Sequence, residues 1–169
     1  MICLSNLFRI SALLSFSILG KAQDSSKPFR LGMHWENGYF WQESRREKRY
    51  CAQCIRNCRH GDSIWTKDCN RKSYRQYFVK VENTIRPASN KRVCITRTED
   101  RKIRLQKCTG SERQEWEGID FSNKFELIAG SSSKRKCLSQ HHHPKEREVI
   151  YMEKCSLARL YDTSYWVTR

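Results

Sequence analysis

Nine cysteines lie in this 169-residue chain, and eight of them, Cys51, Cys54, Cys58, Cys69, Cys94, Cys108, Cys137 and Cys155, follow residue 50. Thiols at that density pair as disulfides in an oxidising compartment or hold zinc in a reducing one. The segment "CAQCIRNC", residues 51–58, has the close spacing of a zinc knuckle. His141, His142 and His143, with Glu146 and Glu148 nearby, could ligate zinc or copper if Pro144 bent the loop enough for adjacent imidazoles to converge; otherwise they form a solvated loop. A third chemistry is contact with sugars or anions. Trp65 and Tyr151 offer flat π-faces, and Lys67 and Arg104 offer charge for sulfate or carboxylate. Catalytic signals are absent. Only His34 and His60 lie outside the histidine run, and no Gly-x-Ser-x-Gly, phosphate loop or paired carboxylates stand out. A protein without enzymatic activity and without a cofactor is expected.

The compartment decides between disulfide and metal. Arg9 precedes an uncharged stretch from Ile10 to Gly20, and Gly20 and Ala22 fit a cleavage site after Ala22. This reads as a secretory signal peptide over residues 1–22. Its apolar core is well short of the roughly 20 residues a membrane helix needs, and no second apolar stretch approaches that length. Residues 23–169 are therefore expected to be one exported, soluble domain. Cys3 leaves with the leader, and the even number that remains favours a disulfide framework over a zinc knuckle.

The net charge is +15, and the leader holds only two of the basic residues, Arg9 and Lys21, and no acid. Such an excess favours acidic partners such as anionic polysaccharide, phospholipid headgroups or nucleic acid, or else simply keeps the surface solvated. The basic residues are spread along the chain rather than gathered in a tail. Charge alone leaves these partners open.

The elements that must position these groups recur. "SIWTKDC", "KIRLQKC" and "VIYMEKC" end at Cys69, Cys108 and Cys155, each with Ile five positions before the cysteine and Thr66, Leu105 or Met152 three before it. This alternation describes a half-buried strand. A polar loop follows each cysteine and leads to Phe78, Trp116 or Trp166. Before each lies another cysteine strand, "YCAQC", "VCIT" or "KCLSQ", and upstream of that an apolar strand with a basic or Ser-rich turn. Three units of about 40–50 residues result, near residues 38–80, 81–121 and 122–169, with four strands each. "FRLGMHW" opens the sheet and closes it against "YWVTR". The implied fold is all-β: about twelve strands in three pseudo-repeats, a closed antiparallel barrel without free edges. Phe78, Trp116 and Trp166 fill the shared core.

At this point the chain resembles the ricin B-type β-trefoil lectins, whose repeat carries a Cys-Leu strand, an alternating strand ending in Cys, and Gln-x-Trp. "VCITRTEDRKIRLQKCTGSERQEW" matches best, "KCLSQ…VIYMEKC…SYW" is similar, and "YCAQC…SIWTKDC…RQYF" is looser. The resemblance implies a β-trefoil and carbohydrate binding. It also implies a sugar pocket built from an Asp two after the first Cys, an outward aromatic two before the second, and Asn-Gln before the Trp. Those positions hold Gln53, Thr96 and Ser139; Lys67, Gln106 and Glu153; and Arg75-Gln76, Arg113-Gln114 and Thr163-Ser164. No unit carries the full set.

Other residues take over in that reading. Trp65, Arg104 and Tyr151, four before the second Cys, face outward by the two-residue period, as sugar contacts or as covers for a neighbouring loop. The candidate carbohydrate contacts are then Trp65, Lys67, Arg104, Gln106, Gln114, Tyr151 and Glu153, with Trp65 and Lys67 the preferred pair for an acidic sugar. Repeat register pairs Cys94 with Cys108 and Cys137 with Cys155. It also pairs Cys51 with Cys69, because Cys51 precedes Ile64 by the same interval as Cys137 precedes Ile150, and Cys54 is left with Cys58. The expected protein is a secreted lectin-like module. Two alternatives stand: a polyanion- or heparin-type binding or signalling trefoil, and a protease inhibitor using the "CAQCIRNC" loop.

Overall fold

The computed structural model describes residues 27–33, 50–119, 121, 124–129, 135–140, 146–161 and 163–168. The leader, the segment around Trp41 and the run His141–His143 lie outside the described residues. Within them the chain forms twelve strands. The first unit holds β1 (Phe29–Met33), β2 (Tyr50–Cys54), β3 (Ile64–Asp68) and β4 (Tyr77–Val81). The second holds β5 (Thr84–Pro87), β6 (Val93–Arg97) and β7 (Ile103–Lys107). The third holds β8 (Phe125–Glu126), β9 (Ile128–Ala129), β10 (Lys136–Ser139), β11 (Tyr151–Lys154) and β12 (Tyr165–Thr168).

Each cysteine strand makes a hairpin with the strand after it, in one shared register. Cys51 faces Lys67, Cys94 faces Gln106 and Cys137 faces Glu153. The opening strand β1 pairs with the closing strand β12, Leu31 opposite Thr168 and Met33 opposite Trp166. It also touches β2 and β4, so all five of its residues are buried rather than alternate ones.

Cross-links follow from this register. The second cysteine of each unit lies two residues past the position that faces the first, within the Cα–Cα span a disulfide needs. Cys51–Cys69, Cys94–Cys108 and Cys137–Cys155 are bonded, with Cα–Cα separations of 5.0, 5.1 and 4.9 Å. Cys54–Cys58 closes a small loop in the first unit. The first three pairs are those the repeats imply, and the fourth joins the two cysteines they leave over.

The three hairpins interlock around a pseudo-threefold axis. Ser63 bridges Arg104, Lys102 bridges Tyr151, and Val149 bridges Trp65. Counted back from each unit's second cysteine, every bridge joins the sixth position of one unit to the fourth of the next. The hydrogen bonds repeat as well: Leu105 N–H to Asp62 O at 2.7 Å, Met152 N–H to Arg101 O at 2.7 Å, and Thr66 N–H to Glu148 O at 2.9 Å. Strand edges that would otherwise be open are satisfied by this ring.

The core sits inside it. Ile64, Ile103 and Ile150 are wholly buried, with Leu31, Ile85, Leu105 and Leu127. Phe78, Trp116 and Trp166 are buried with them, as the repeats require. Each large apolar side chain contributes about 1.5–3 kcal/mol by leaving water. The two indoles are also hydrogen-bonded: Trp116 Nε1–H donates to Ile95 O and Trp166 Nε1–H to Leu138 O, both at 2.9 Å. Ile95 and Leu138 each follow the first cysteine of their unit, so the same bond recurs one repeat apart. Gly118 has φ +88°, and a Cβ there would lie 2.2 Å from Glu126 O, so only glycine fits where the chain bridges from Glu117 to Ile128.

One segment departs from the expected polar loops. After Cys155 the chain forms a short helix, α1 (Cys155–Leu160), where the second unit has a single 3-10 turn at Glu112–Gln114. "SLARL" is rich in good helix formers. Ala158 packs against the Cys137–Cys155 bridge. Arg159 grips Glu126 on β8 through a fork of bonds at 2.9 and 2.6 Å.

Candidate functional site

The inner polar positions are used by the fold. Gln76 Nε2–H donates to Asp68 O at 2.8 Å and to Gln53 Oε1 at 3.0 Å, while its Oε1 accepts from Asn70 N–H at 2.8 Å. Gln114 repeats the pattern, donating to Lys107 O at 2.8 Å and Thr96 Oγ1 at 3.1 Å and accepting from Thr109 N–H at 2.8 Å. Each glutamine thus bridges the residues on either side of its unit's second cysteine. The third unit has no glutamine there; Ser139 and Thr163 hydroxyls lie 2.8 Å apart instead. Gln114 is 1 % exposed. Its amide is committed inside the fold, apart from the outward-facing candidates.

The remaining candidates stand on the outward side of β3, β7 and β11. Trp65, Lys67, Arg104, Gln106, Tyr151 and Glu153 are all partly exposed, while their strand neighbours Thr66, Leu105 and Met152 are buried. The three units then differ. In the first, the segment 146–149 runs along β3, through the Val149–Trp65 bridge and the bond from Arg147 N–H to Thr66 O at 2.8 Å. Glu146 meets Lys67 at 3.1 Å. The cation expected to select an acidic sugar therefore already has a counter-charge, and the Trp65 indole N–H is buried with no hydrogen-bond partner among the described residues. In the second unit Arg104 and Gln106 stand without an aromatic at the fourth position.

The third unit forms a groove. Tyr151, Glu153, Leu157, Ala158, Tyr161 and Thr163 line a cavity of about 260 Å³. Strand β11 supplies Tyr151 and Glu153, and α1 with the turn after it supplies the opposite wall. That wall is fixed by the Cys137–Cys155 bridge, by the Arg159–Glu126 fork, and by Thr163 N–H donating to Ala158 O at 2.9 Å. Tyr151 donates its hydroxyl to Gln140 O at 3.2 Å. Burial first, and then the nearby Glu153 carboxylate, hold the Tyr151 phenol above its ordinary range, so it stays neutral and a donor. Glu153 accepts from Lys154 N–H at 2.9 Å and lies 4.0 Å from Arg101. Tyr161 is 49 % exposed at the mouth.

This arrangement has the parts of a polar-ligand site: two aromatic rings, an apolar floor and one carboxylate that can accept hydroxyl protons. The described lining holds a single carboxylate, whereas glycoside hydrolysis ordinarily needs a pair. Of the groove lining, Tyr151 and Glu153 stand among the sequence candidates, whereas Leu157 and Tyr161 do not, because "SLARLY" follows a cysteine where the repeats imply a polar loop; its helix-forming residues are the available signal. Among the described residues no cluster of three or more His, Cys, Asp or Glu could hold a metal ion. No helix is long and apolar enough to cross a membrane, among the described residues.

Comparison with known proteins agrees with the fold. The model of the ricin-type β-trefoil lectin domain family matches residues 43–161. The β-trefoil lectin of the Vibrio vulnificus hemolysin/cytolysin, solved with N-acetyl-D-lactosamine bound, superposes with a TM-score of 0.59 at 15% identity, over 83% of this chain and 92% of that one. GalNAc-T7, solved with UDP, GalNAc and Mn2+, gives 0.54 at 20% identity, over 71% of this chain and 20% of its own. A mosquitocidal holotoxin gives 0.62 at 11% identity, over 85% of this chain and 17% of its own. At such identities the likeness concerns the fold, and in the last two the shared part is a small fraction of a longer chain. No curated protein sequence matches. With three interlocked units, three repeat-specific disulfides and a family match over most of its length, the chain belongs to the ricin-type β-trefoil lectin domain family.

Proposed function

We propose that this protein is an exported, non-catalytic glycan-binding module whose sugar site is the groove of the third unit. The observation that carries this reading is the convergence of Tyr151, Glu153 and Tyr161 on one cavity of about 260 Å³. The cavity is smaller than the ~300–1,000 Å³ of drug-sized ligand sites, which suits one sugar ring rather than a chain. A tyrosine face packs on the C–H side of a pyranose, and a carboxylate accepts from its hydroxyls. Glu153 disfavours a negatively charged sugar at this position. Family membership supports glycan binding, and four disulfides together with the leader-like residues 1–22 support export.

A preference for acidic glycans is supported by the net charge of +15. Lys67 does not supply it, because Glu146 lies against it, so the preference rests on cations elsewhere. The inhibitor reading gains no support: a protease-binding loop presents extended backbone, and Cys58, which ends "CAQCIRNC", has φ +54°.

A glycan array read at low and high salt tests the proposal, with N-acetyl-D-lactosamine as a first neutral probe. Neutral-sugar binding that survives high salt supports a groove lectin. Binding confined to sulfated or uronic-acid glycans and lost in salt refutes the groove as the sugar site.

A further inference from the structure

The first unit carries a longer loop between its cysteine strand and the next strand than the second unit does. Between β2 and β3 the chain runs from Ile55 to Ser63, whereas β6 and β7 are joined by the short turn Thr98–Lys102. The longer loop is stapled by Cys54–Cys58 and folded onto the second unit. Asn90 Nδ2–H donates to Cys58 O at 2.9 Å, Lys107 N–H donates to His60 Nδ1 at 3.3 Å, and Gly61 N–H donates to Leu105 O at 2.7 Å. The 88–92 turn is fixed beside them, since Cys108 N–H donates to Arg92 O at 3.1 Å and Arg86 reaches Lys91 O at 3.3 Å.

These contacts bring Arg56, Arg59, Arg86, Lys91, Arg92 and Lys107 to one side of the molecule. All but the half-exposed Arg86 are exposed. The one acid in the segments 55–62, 86–93 and 107–110 is Asp62, which is 7 % exposed and accepts from Arg59 N–H at 3.0 Å. None of the six cations forms an ion pair with a described acidic residue. Other cations are matched: Lys67, Lys102, Arg113 and Arg159 each meet a carboxylate at 3.1 Å or less. An exposed concentration of unmatched cations on braced backbone is a pre-organised anion surface.

We propose that this face, built from the stapled loop and the 88–92 turn, is a second binding site that takes a sulfated polysaccharide. Four of the six cations are arginines, whose planar fork matches the oxygens of sulfate. Tyr74, 53 % exposed, stands at the rim with its hydroxyl donating to Asn57 Oδ1 at 3.3 Å and offers one sugar-stacking ring. A row of stacking aromatics, as single-stranded nucleic acid requires, is not present on these segments. The site is separate from the third-unit groove and does not depend on it.

The test is elution from immobilised heparin by a salt gradient, with circular dichroism confirming the fold of every variant. Lys91→Glu combined with Arg92→Glu alters exposed side chains whose backbone bonds remain. It should elute at clearly lower salt and bind heparin about tenfold or more weakly. Lys136→Glu combined with Lys154→Glu removes the same charge from β10 and β11 in the third unit and should shift elution little. Tyr161→Ala should not shift it, which separates this site from the groove. Equal shifts for both double variants would reduce the effect to net charge and overturn the proposal. Displacement from heparin by a single-stranded oligonucleotide more readily than by free heparin of matched charge would overturn the assignment to polysaccharide.

Discussion

The amide of Thr66 donates to the carbonyl of Glu148, 82 residues later, at 2.9 Å. Leu105 to Asp62 and Met152 to Arg101 are the same bond in the other two units. Each unit hands one strand edge to the next, so no unit can complete its pairing alone. The isoleucine between the bridged positions, Ile64, Ile103 or Ile150, is turned inward and fully buried. Alanine at any of the three should destabilise the protein by about 2–5 kcal/mol, with similar values across the units. Urea unfolding of the three variants checks this; an unchanged midpoint for Ile103→Ala would contradict the ring.

Trp116 should tolerate Phe better than Ala. Phe fills the equivalent place in the first unit as Phe78. Trp116→Phe leaves Ile95 O without its donor and should cost about 1–3 kcal/mol, while Trp116→Ala should cost about 3–5 kcal/mol. Thermal melts of both variants test the order. A Trp116→Ala protein that melts like the parent would place the indole at the surface.

Gln114→Leu separates brace from binding. The substitution orphans Lys107 O and Thr109 N–H, and each such loss costs about 1–3 kcal/mol. Stability should fall while glycan affinity, measured below the melting transition, stays at the parental value. Loss of sugar binding in a folded Gln114→Leu protein would return this glutamine to the site.

The four disulfides should differ in weight. Loop-closure entropy assigns about 3 kcal/mol to Cys137–Cys155, at a separation of 18, and about 2 kcal/mol to Cys54–Cys58, at a separation of 4. Cys54→Ala combined with Cys58→Ala should therefore fold and lose the lesser amount. Non-reducing peptide mapping should return the four pairs; a Cys94–Cys137 link would contradict the repeat register.

Local pattern made the strands legible and hid what joins them. Ile-x-x-x-x-Cys, three times over, locates β3, β7 and β11 and fixes which cysteines meet, because strand period and disulfide span are short-range geometry. The burial of Phe78, Trp116 and Trp166 follows from the same phase. The contact of Lys67 with Glu146 does not follow, since it arises where the third unit crosses the first and has no local signature. That contact is what turns the preferred pair, Trp65 and Lys67, into a less open site. Tyr161 enters the groove only because the six residues Cys155–Leu160 coil into α1, a choice between loop and helix too short for periodicity to settle.

The most direct test of the groove is calorimetric titration of the best neutral glycan into the parent and four folded variants. Tyr161→Ala and Glu153→Gln should each weaken binding by about tenfold or more, while Trp65→Ala and Lys67→Glu should bind within about twofold of the parent. The reverse pattern, with Trp65→Ala and Lys67→Glu losing the sugar and the groove variants keeping it, would contradict the account and move the site to the first unit.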